Sequence, residues 1–264
     1  MIPLPPALAE LVSDYDAEAH EGGESGGRIA CYKRPGATSL FLKYGEGRVA
    51  DDIADEALRL RWLNRRFPSP ALRFFLCAEK AAWLLTDAVA GETGDALIEA
   101  GVADMATLAR EAGQMLRRLH DLAIDDCPFD AGHALRMRAA RRNVDLGLVD
   151  AEDFDAAHEG WDVERLWEKL DGLPHPCGAA VVTHGDYSLG NILFADGRAT
   201  GLIDVGRLGR ADPYQDLAIM WSNLGAHGGE RGPDMQAAFL RAYGVEDGGD
   251  ASRIAFHLCL DEFF

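Results

Sequence analysis

Lysine, closely spaced cysteine and long apolar runs are all scarce in this sequence. Only four of its 264 residues are lysine, and arginine supplies the rest of the 26 basic side chains. The five cysteines stand far apart without a CxxC spacing, which favours reduced thiols over a disulfide framework or a zinc site. No apolar run reaches the length of a membrane span, and the N-terminal segment lacks the features of an export signal. We therefore predict a cytoplasmic protein with no membrane contact.

The common phosphate-binding fingerprints are also missing. Neither GxGxxG nor the Walker GxxxxGK[ST] pattern occurs, which argues against Rossmann and P-loop folds. A different glycine-rich segment, GGESGGR at residues 22–28, precedes an alternating stretch. Its glycines would let backbone N–H groups approach a phosphate, and Ser25 would add a hydroxyl donor. Taken alone, the segment is a weak signal and is better explained as an ordinary loop.

Acidic side chains outnumber basic ones by 44 to 26, which gives a net charge of −18. Residues 1–91 hold 11 basic and 13 acidic side chains, whereas residues 92–264 hold 15 and 31. The two parts thus carry −2 and −16. A negative field of this size repels nucleic acid and anionic lipid and attracts a cationic partner. From charge alone, however, acidic residues that keep the protein soluble are the better explanation.

Hydrophobic periodicity predicts an α+β protein in two parts. The first part reads as a small antiparallel sheet with a helix whose apolar stripe, Ile53, Leu60 and Leu63, also contains Glu56. A carboxylate on that stripe requires a basic partner. The predicted elements are a short helix at 7–15, strands at 29–34 and 39–44, a helix at 51–67, and strands within 71–80 and 81–89.

The breaker-rich segment AGETGD places a boundary at residue 91, after which the spacing becomes helical. The segment from Met105 to Leu119 shows this most clearly. The second part, residues 92–264, is therefore predicted to be mainly helical. Its exception is a hairpin signalled by Asp196-Gly197, and Asp212-Pro213 is predicted to begin a later helix.

Three polar residues in and around this hairpin carry the chemistry. Asp186 and Asn191 have the Asp-x-x-x-x-Asn spacing of a kinase catalytic loop, and Asp204 follows the hairpin's second strand. Phosphoryl transfer from a nucleotide needs one carboxylate at the acceptor hydroxyl, with an amide oxygen and a second carboxylate to hold Mg²⁺. Each residue alone could be structural. Lys43, at the end of an apolar strand, and Glu56 thirteen residues later supply the remaining phosphate contact and its ion-pair partner.

The chain resembles the aminoglycoside 3′-phosphotransferases, kinases of the kanamycin and neomycin type. The most specific segments are VVTHGDYSLGNILFADGRATGLIDVGRLGRADPYQDLA, residues 181–218, and the C-terminal RIAFHLCLDEFF, residues 253–264. The resemblance implies an α+β, bilobal protein-kinase-like fold with a small antiparallel-sheet N-lobe and a larger, mainly helical C-lobe. Residues 1–91 would form the nucleotide-binding lobe with the hinge. Residues 92–264 would carry the catalytic loop, the metal site and the aminoglycoside site.

The resemblance also implies a role for each matching residue. Asp186 would be the catalytic carboxylate, Asn191 and Asp204 would bind Mg²⁺, and Lys43 would contact the ATP phosphates, oriented by Glu56. Ser25 would lie in the phosphate loop. The remaining implied roles are adenine contacts by the backbone of Asp87 and Val89, an organising or anion-binding role for Arg207, and a bond from Asp216 to the catalytic-loop backbone.

For the antibiotic, the family uses acidic side chains that match two segments here. Residues 149–160 correspond to an acidic loop, in which Ala156 stands where related enzymes commonly carry a further acidic residue. The implied ammonium contacts are Asp153, Asp155, Asp261, Glu262 and the carboxylate of Phe264.

The function that follows is ATP-dependent phosphorylation of an aminoglycoside 3′-hydroxyl by a monomer or weak homodimer. The partners are small molecules, with no nucleic acid and no membrane. A kinase of choline, homoserine or a ketosamine is the nearest alternative. A regulatory pseudokinase and a metal-dependent phosphohydrolase are the others.

Overall fold

The computed structural model describes residues 2–20, 26–246 and 248–264. Their contacts form two compact units. Unit 1 comprises the described residues up to Gly91 together with Leu193–Ala195 and Thr200–Arg207, and unit 2 comprises the others. The sequence predicts residues 193–195 and 200–207 in the second lobe, whereas their contacts group them with unit 1. Among the described residues, no helix is both long enough and apolar enough to cross a membrane.

Unit 1 is built on a five-stranded antiparallel sheet of order β1-β2-β3-β5-β4. Leu40, Leu42 and Leu85 on this sheet pack with Leu8 of the first helix and with Val12, which follows that helix, to form an apolar cluster. The elements are α1 Pro6–Leu11, β1 Asp16–His20, β2 Arg28–Lys33, β3 Leu40–Glu46, α2 Arg48–Leu63, β4 Leu72–Ala78 and β5 Ala81–Asp87.

Both helices of unit 1 differ in their limits from the prediction. Helix α1 ends at Leu11 rather than residue 15, and a turn follows before β1 begins. Helix α2 covers residues 48–63 rather than 51–67, because Asn64 leaves the helical conformation and Arg65 has a φ of 65°. The antiparallel pairing of β2 with β3 is confirmed.

Helix α2 packs closely on β3 because Gly45 has no side chain. A Cβ on Gly45 would lie 2.2 Å from Cγ1 of Val49. The buried face of α2 carries Ile53, Glu56 and Leu60, which confirms the predicted stripe. The close approach of α2 to the sheet therefore brings a buried carboxylate to the strand that carries Lys43.

Unit 2 is mainly helical, as predicted. Its elements begin with β6 Glu92–Thr93, α3 Gly94–Glu99, α4 Met105–His120, α5 His133–Asp145, α6 Val163–Gly172 and β7 Val181–Thr183. The hairpin strands β8 Ile192–Ala195 and β9 Arg198–Leu202 follow, and the last three residues of each strand belong to unit 1. The last elements are β10 Gly209–Ala211, α7 Tyr214–Gly228, α8 Gly232–Tyr243 and α9 Ala251–Asp261.

The predicted hairpin turn is confirmed at Asp196-Gly197. These residues have φ values of 50° and 72°, the left-handed conformations that a two-residue turn of this kind requires. Strand β8 ends directly before this turn, and strand β9 begins directly after it. As a result, Asn191 directly precedes β8 in the chain and Asp204 follows the end of β9 by two residues.

Helices α4 and α8 approach one another at Gly113. A Cβ there would lie 2.4 Å from the carbonyl oxygen of Phe239 and 2.8 Å from Cβ of Ala242. The contact is with backbone as well as side chain, so a rotamer change alone cannot relieve it. Gly113 is thus the position that sets the separation of these helices.

We expect Gly113→Ala to reduce the free energy of unfolding by about 2 kcal/mol, because α8 must shift to admit the methyl group. Gly172→Ala is the matched control, since Gly172 is helical and nothing lies within 4 Å of its added Cβ. The control is expected to be neutral or slightly stabilising. Urea unfolding of both variants checks this, and equal stability of the two would contradict it.

Candidate active site

Lys43 and Glu56 form a two-oxygen ion pair in unit 1. The Nζ atom of Lys43 lies 3.0 Å from Oε1 and 2.9 Å from Oε2 of Glu56. The Glu56 side chain is only 9% exposed and that of Lys43 is 25% exposed. Alternation along β3 turns Leu42 and Tyr44 to one face and Lys43 to the face covered by α2. Lys43 is therefore the basic partner that was predicted for Glu56.

Asp204 contacts the same ammonium group. Its carboxylate forms a hydrogen-bonded ion pair with Lys43 although 161 residues separate them in sequence. Asp204 has a φ of 54°, and the 3₁₀ turn after it, Val205–Arg207, lies on α2. Burial lowers the pKa of Lys43, but the two carboxylates outweigh it and the net shift is upward. Lys43 is thus held charged between a buried and a more exposed carboxylate.

The segment His184–Asp186 in unit 2 is held by Asp216 at the start of α7. Oδ2 of Asp216 accepts a 2.7 Å hydrogen bond from the N–H of His184, and Oδ1 accepts one of 2.8 Å from Gly185. Asp216 is fully buried. This confirms the predicted bond from Asp216 to the loop backbone. Two backbone donors fix the loop because a buried N–H must be satisfied.

A third donor to Asp216 comes from His120, which the sequence analysis missed. Nε2 of His120 lies 3.0 Å from Oδ2 of Asp216, and Nδ1 lies 2.8 Å from the hydroxyl of Tyr243. Burial raises the pKa of Tyr243 to about 12, so its hydroxyl keeps its proton. The only sequence signal was a histidine on the buried face of α4, four residues after Leu116, where an apolar residue is usual.

Asp186 and Asn191 are joined within the loop. The side-chain amide of Asn191 donates a 2.8 Å hydrogen bond to the carbonyl oxygen of Asp186, and the N–H of Asp186 donates to Nδ1 of His184 at 3.2 Å. Since the Asn191 nitrogen is committed to this bond, the orientation of its side-chain oxygen is set. Gly185 makes the bend with a φ of 90°.

Further contacts tie this loop to the helices of unit 2. The Tyr187 hydroxyl donates to the carbonyl oxygen of Ala112 on α4 at 2.8 Å, and the N–H of Leu189 donates to Oδ1 of Asn223 on α7 at 3.1 Å. Tyr187 is fully buried. The loop therefore has a defined conformation on a rigid helical base, as a reacting carboxylate requires.

The other predicted nucleotide contacts are Ser25, Asp87 and Val89. Ser25 lies outside the described residues. The N–H of Asp87 donates to the carbonyl oxygen of Ala71 at 2.9 Å, and the Asp87 carboxylate pairs with Arg73, so both groups have partners within unit 1. Val89 follows β5 and lies against the Gly201 position of β9.

Arg207 ends the turn that lies on α2. There it lowers the pKa of Asp52, but burial has the larger effect and the net shift of the Asp52 pKa is upward. Its position beside an acidic residue of α2 agrees with an organising role in unit 1.

The acidic segment and the C-terminal residues meet in unit 2. The N–H of Asp155 donates to Oε2 of Glu262 at 3.2 Å, and Asp261 forms a 2.9 Å ion pair with Arg136. Asp153 is exposed, as is Phe264, whose ring lies 4.7 Å below the guanidinium of Arg136. The structure therefore groups Asp155, Asp261 and Glu262 in one region.

Comparison with known proteins places these features in a family. A model of the phosphotransferase enzyme family matches residues 17–257. The chain belongs to this family. It is 42% identical to an aminoglycoside 3′-phosphotransferase of Escherichia coli over 92% of this chain and 88% of that protein. The resemblance inferred from the sequence is thus confirmed.

Solved structures of this phosphotransferase family show the same architecture. The crystal structure of an aminoglycoside 3′-phosphotransferase of type VIII is 35% identical, with a TM-score of 0.82 over 95% of this chain and 94% of that one. An aminoglycoside phosphotransferase from Streptomyces rimosus, in complex with ADP and streptomycin, is 27% identical, with a TM-score of 0.77 over 100% and 99%. The predicted α+β, protein-kinase-like fold is confirmed.

We expect Lys43→Met to destabilise the phosphotransferase by about 2 kcal/mol, because it leaves the Glu56 carboxylate buried without its cation. Lys33→Met is the matched control, since Lys33 pairs with a Glu18 side chain that is 58% exposed. The control should leave stability close to that of the wild type, because an exposed ion pair contributes little. Urea unfolding compares the two, and the double variant Lys43→Met/Glu56→Gln should recover part of the loss.

Asp216 should make the stability pH-dependent. Burial raises its pKa, but the His120 and backbone hydrogen bonds outweigh burial and hold the pKa below its ordinary value of 3.8. A lowered pKa stabilises the folded state above the ordinary value, and the stabilisation is lost as pH falls through the lowered one.

Asp216→Asn should therefore cost about 3 kcal/mol near neutral pH, because an amide cannot accept from all three donors. The difference from wild type should shrink below about pH 4. Urea unfolding of both proteins across this range is the measurement. If the difference in the free energy of unfolding between the two proteins stays constant down to about pH 3, the charge of Asp216 does not contribute to stability.

Proposed function

We propose that this phosphotransferase transfers the γ-phosphoryl group of ATP to the 3′-hydroxyl of aminoglycoside antibiotics and so confers resistance to them. The observation that carries the proposal is the loop in which Asp186 and Asn191 are fixed through Asp216 and His120. The 42% identity to an aminoglycoside 3′-phosphotransferase over most of the chain supports the substrate class. The ADP complex of a 27% identical relative supports the nucleotide.

Asp186 is the proposed catalytic carboxylate. It would accept a hydrogen bond from the attacking hydroxyl, orient that oxygen for in-line attack, and take its proton as the phosphoryl group transfers. The bond from Asn191 to the Asp186 carbonyl and the braced His184–Asp186 backbone hold the carboxylate in position. Phosphoryl transfer depends chiefly on positioning and charge neutralisation, so a rigid support for this carboxylate matters more than its basicity.

Asn191 and Asp204 are the proposed ligands of Mg²⁺. An amide oxygen and a carboxylate are hard donors, and Mg²⁺ in such enzymes commonly takes few protein ligands alongside substrate phosphates. The donor set fits the ion, because the Asn191 nitrogen is already used and its oxygen is the atom left to coordinate. When bound, Mg²⁺ would neutralise charge on the β- and γ-phosphates.

Lys43 is the proposed contact to the α- and β-phosphates. Two carboxylates keep its ammonium charged, and Glu56 holds it from the buried side. The backbone of Asp87 and Val89 and the Ser25 loop remain the proposed nucleotide contacts of residues 1–91. Because the Asp87 N–H is bonded to Ala71, the adenine contact at that residue would use its carbonyl oxygen.

Acidic groups of residues 92–264 are proposed to bind the antibiotic's ammonium groups. This part of the chain carries a net charge of −16, and a polycation is attracted by such a field. The proposed ammonium contacts are Asp153, Asp155, Asp261, Glu262 and the carboxylate of Phe264. Arg207 is proposed to organise the substrate site or to bind anionic groups there. Ala156 supplies no carboxylate, so affinity should depend more strongly on Asp153 and Asp155. The protein is further proposed to act in the cytoplasm as a monomer or weak homodimer.

The test is a coupled ADP-release assay with kanamycin, a 3′-deoxy aminoglycoside and choline. We expect ADP release with kanamycin and none with the other two, and mass analysis should find one added phosphate on the antibiotic. Turnover of choline but not of kanamycin would favour a metabolite kinase. Release of free phosphate without a phosphorylated acceptor would favour a hydrolase.

Asp186→Ala should reduce turnover by about 10³-fold or more, because the acceptor hydroxyl loses its orienting base. ADP affinity should stay within about twofold of wild type, since Lys43 and Glu56 are intact. Kinetics and calorimetric ADP titration measure the two effects separately. Near-normal turnover in a folded variant would remove Asp186 from the proposed role.

A further inference from the structure

A chain of three polar side chains links α6 to the last residues of the protein. The ammonium group of Lys169 contacts Nε2 of His158, and Nδ1 of His158 contacts Oε1 of Glu262. His158 is 5% exposed and the Glu262 side chain is 8% exposed. None of the roles proposed above uses His158 or Lys169.

The partners of His158 define where its proton lies. A lysine ammonium group has donors and no acceptor, so Nε2 of His158 must accept from Lys169. Nδ1 then carries the hydrogen and donates to the Glu262 carboxylate, which only accepts. Lys169 therefore selects the imidazole tautomer that can hold Glu262. His158 thus bridges a lysine on α6 and a carboxylate at the C-terminal end.

The other oxygen of Glu262 holds the acidic segment. Oε2 accepts the N–H of Asp155 at 3.2 Å. Apolar contacts support the same junction, because Phe154 and Phe263 belong to one buried cluster. Glu262 therefore joins the acidic segment to the end of α9 by a hydrogen bond, and His158 orients the Glu262 carboxylate.

The contacts of Glu262 bring together carboxylates that repel one another. Burial has the largest effect on the Glu262 pKa and raises it, His158 opposes that rise, and the Asp155 charge adds to it. Like charges this close destabilise the folded protein unless a cation or a donor offsets them. Lys169, acting through His158, is the cation placed to do so.

We propose that His158 is a positioning residue for recognition of the polycationic acceptor. Supported by Lys169, it orients Glu262 and keeps Asp155 against the C-terminal residues, so that these carboxylates meet ammonium groups in a defined arrangement. This inference rests on the proposed aminoglycoside function. In this proposal His158 and Lys169 affect the affinity for the acceptor, whereas the nucleotide site and the chemical step stay unchanged.

Three variants and a matched control test the proposal. His158→Leu removes both hydrogen bonds, His158→Asn keeps a donor near the position of Nδ1, and Lys169→Met removes the cation from an exposed position on α6. Arg141→Met is the control, because Arg141 joins α5 to α6 through a surface ion pair with Glu164 at 2.9 Å. Each is compared by kanamycin calorimetry without nucleotide and by steady-state kinetics.

We expect His158→Leu to raise the Kd and KM for kanamycin about tenfold, equivalent to about 1.4 kcal/mol. The KM for ATP and kcat should stay within about twofold of wild type. Lys169→Met should raise the kanamycin Kd about threefold, His158→Asn should recover most of the affinity lost in His158→Leu, and Arg141→Met should match wild type.

Unchanged kanamycin affinity in His158→Leu overturns the proposal, as does an equal rise in both KM values. If His158→Leu does not fold, Lys169→Met decides: an unchanged Kd refutes the inference. Failure of the proposed function is distinguishable, because the wild type itself would then neither bind nor phosphorylate kanamycin. That outcome removes the basis of both proposals.

Discussion

The buried carboxylate of Asp216 is the constraint on which the candidate catalytic loop depends. It accepts hydrogen bonds from the backbone of His184 and Gly185 and from the ring of His120. A fully buried charge is unfavourable unless such donors surround it. The same donors are what fix the loop, so the groups that stabilise the charge also position Asp186. Stability and orientation of the reacting group are therefore coupled through one side chain.

A similar coupling occurs at Lys43 in unit 1. Glu56 needs a cation because α2 buries it, and Lys43 satisfies that need while also reaching Asp204. Gly45 permits this arrangement by letting α2 lie directly on the strand. In the acidic region of unit 2 the corresponding group is Glu262, which joins Asp155 to His158. At Asp216 and Glu262 a buried carboxylate connects elements far apart in sequence, whereas in unit 1 the distant contact is that of Lys43 with Asp204.

Much of this protein could be predicted from local sequence. Alternation identified the strands around Cys31, Leu42 and Leu84, and helical spacing identified α2 and α4, since each pattern reports which face is buried. The Asp196-Gly197 pair predicted its hairpin because few other residues accept the required φ. Helix limits were less accurate at α1 and α2, where turn geometry rather than periodicity decides the end.

The sequence by itself determined the kinds of groups available: the spacing of Asp186 and Asn191, the rare Lys43, and a carboxylate on an apolar stripe. Their partners were decided only by tertiary structure. His120 lies 96 residues from Asp216 and Glu262 lies 104 from His158, and nothing local in the chain indicates either pair. The grouping of residues 200–207 with unit 1 was likewise hidden. The physical reason is that periodicity records only whether a position is buried, whereas the partner of a buried polar group depends on which distant element packs against it.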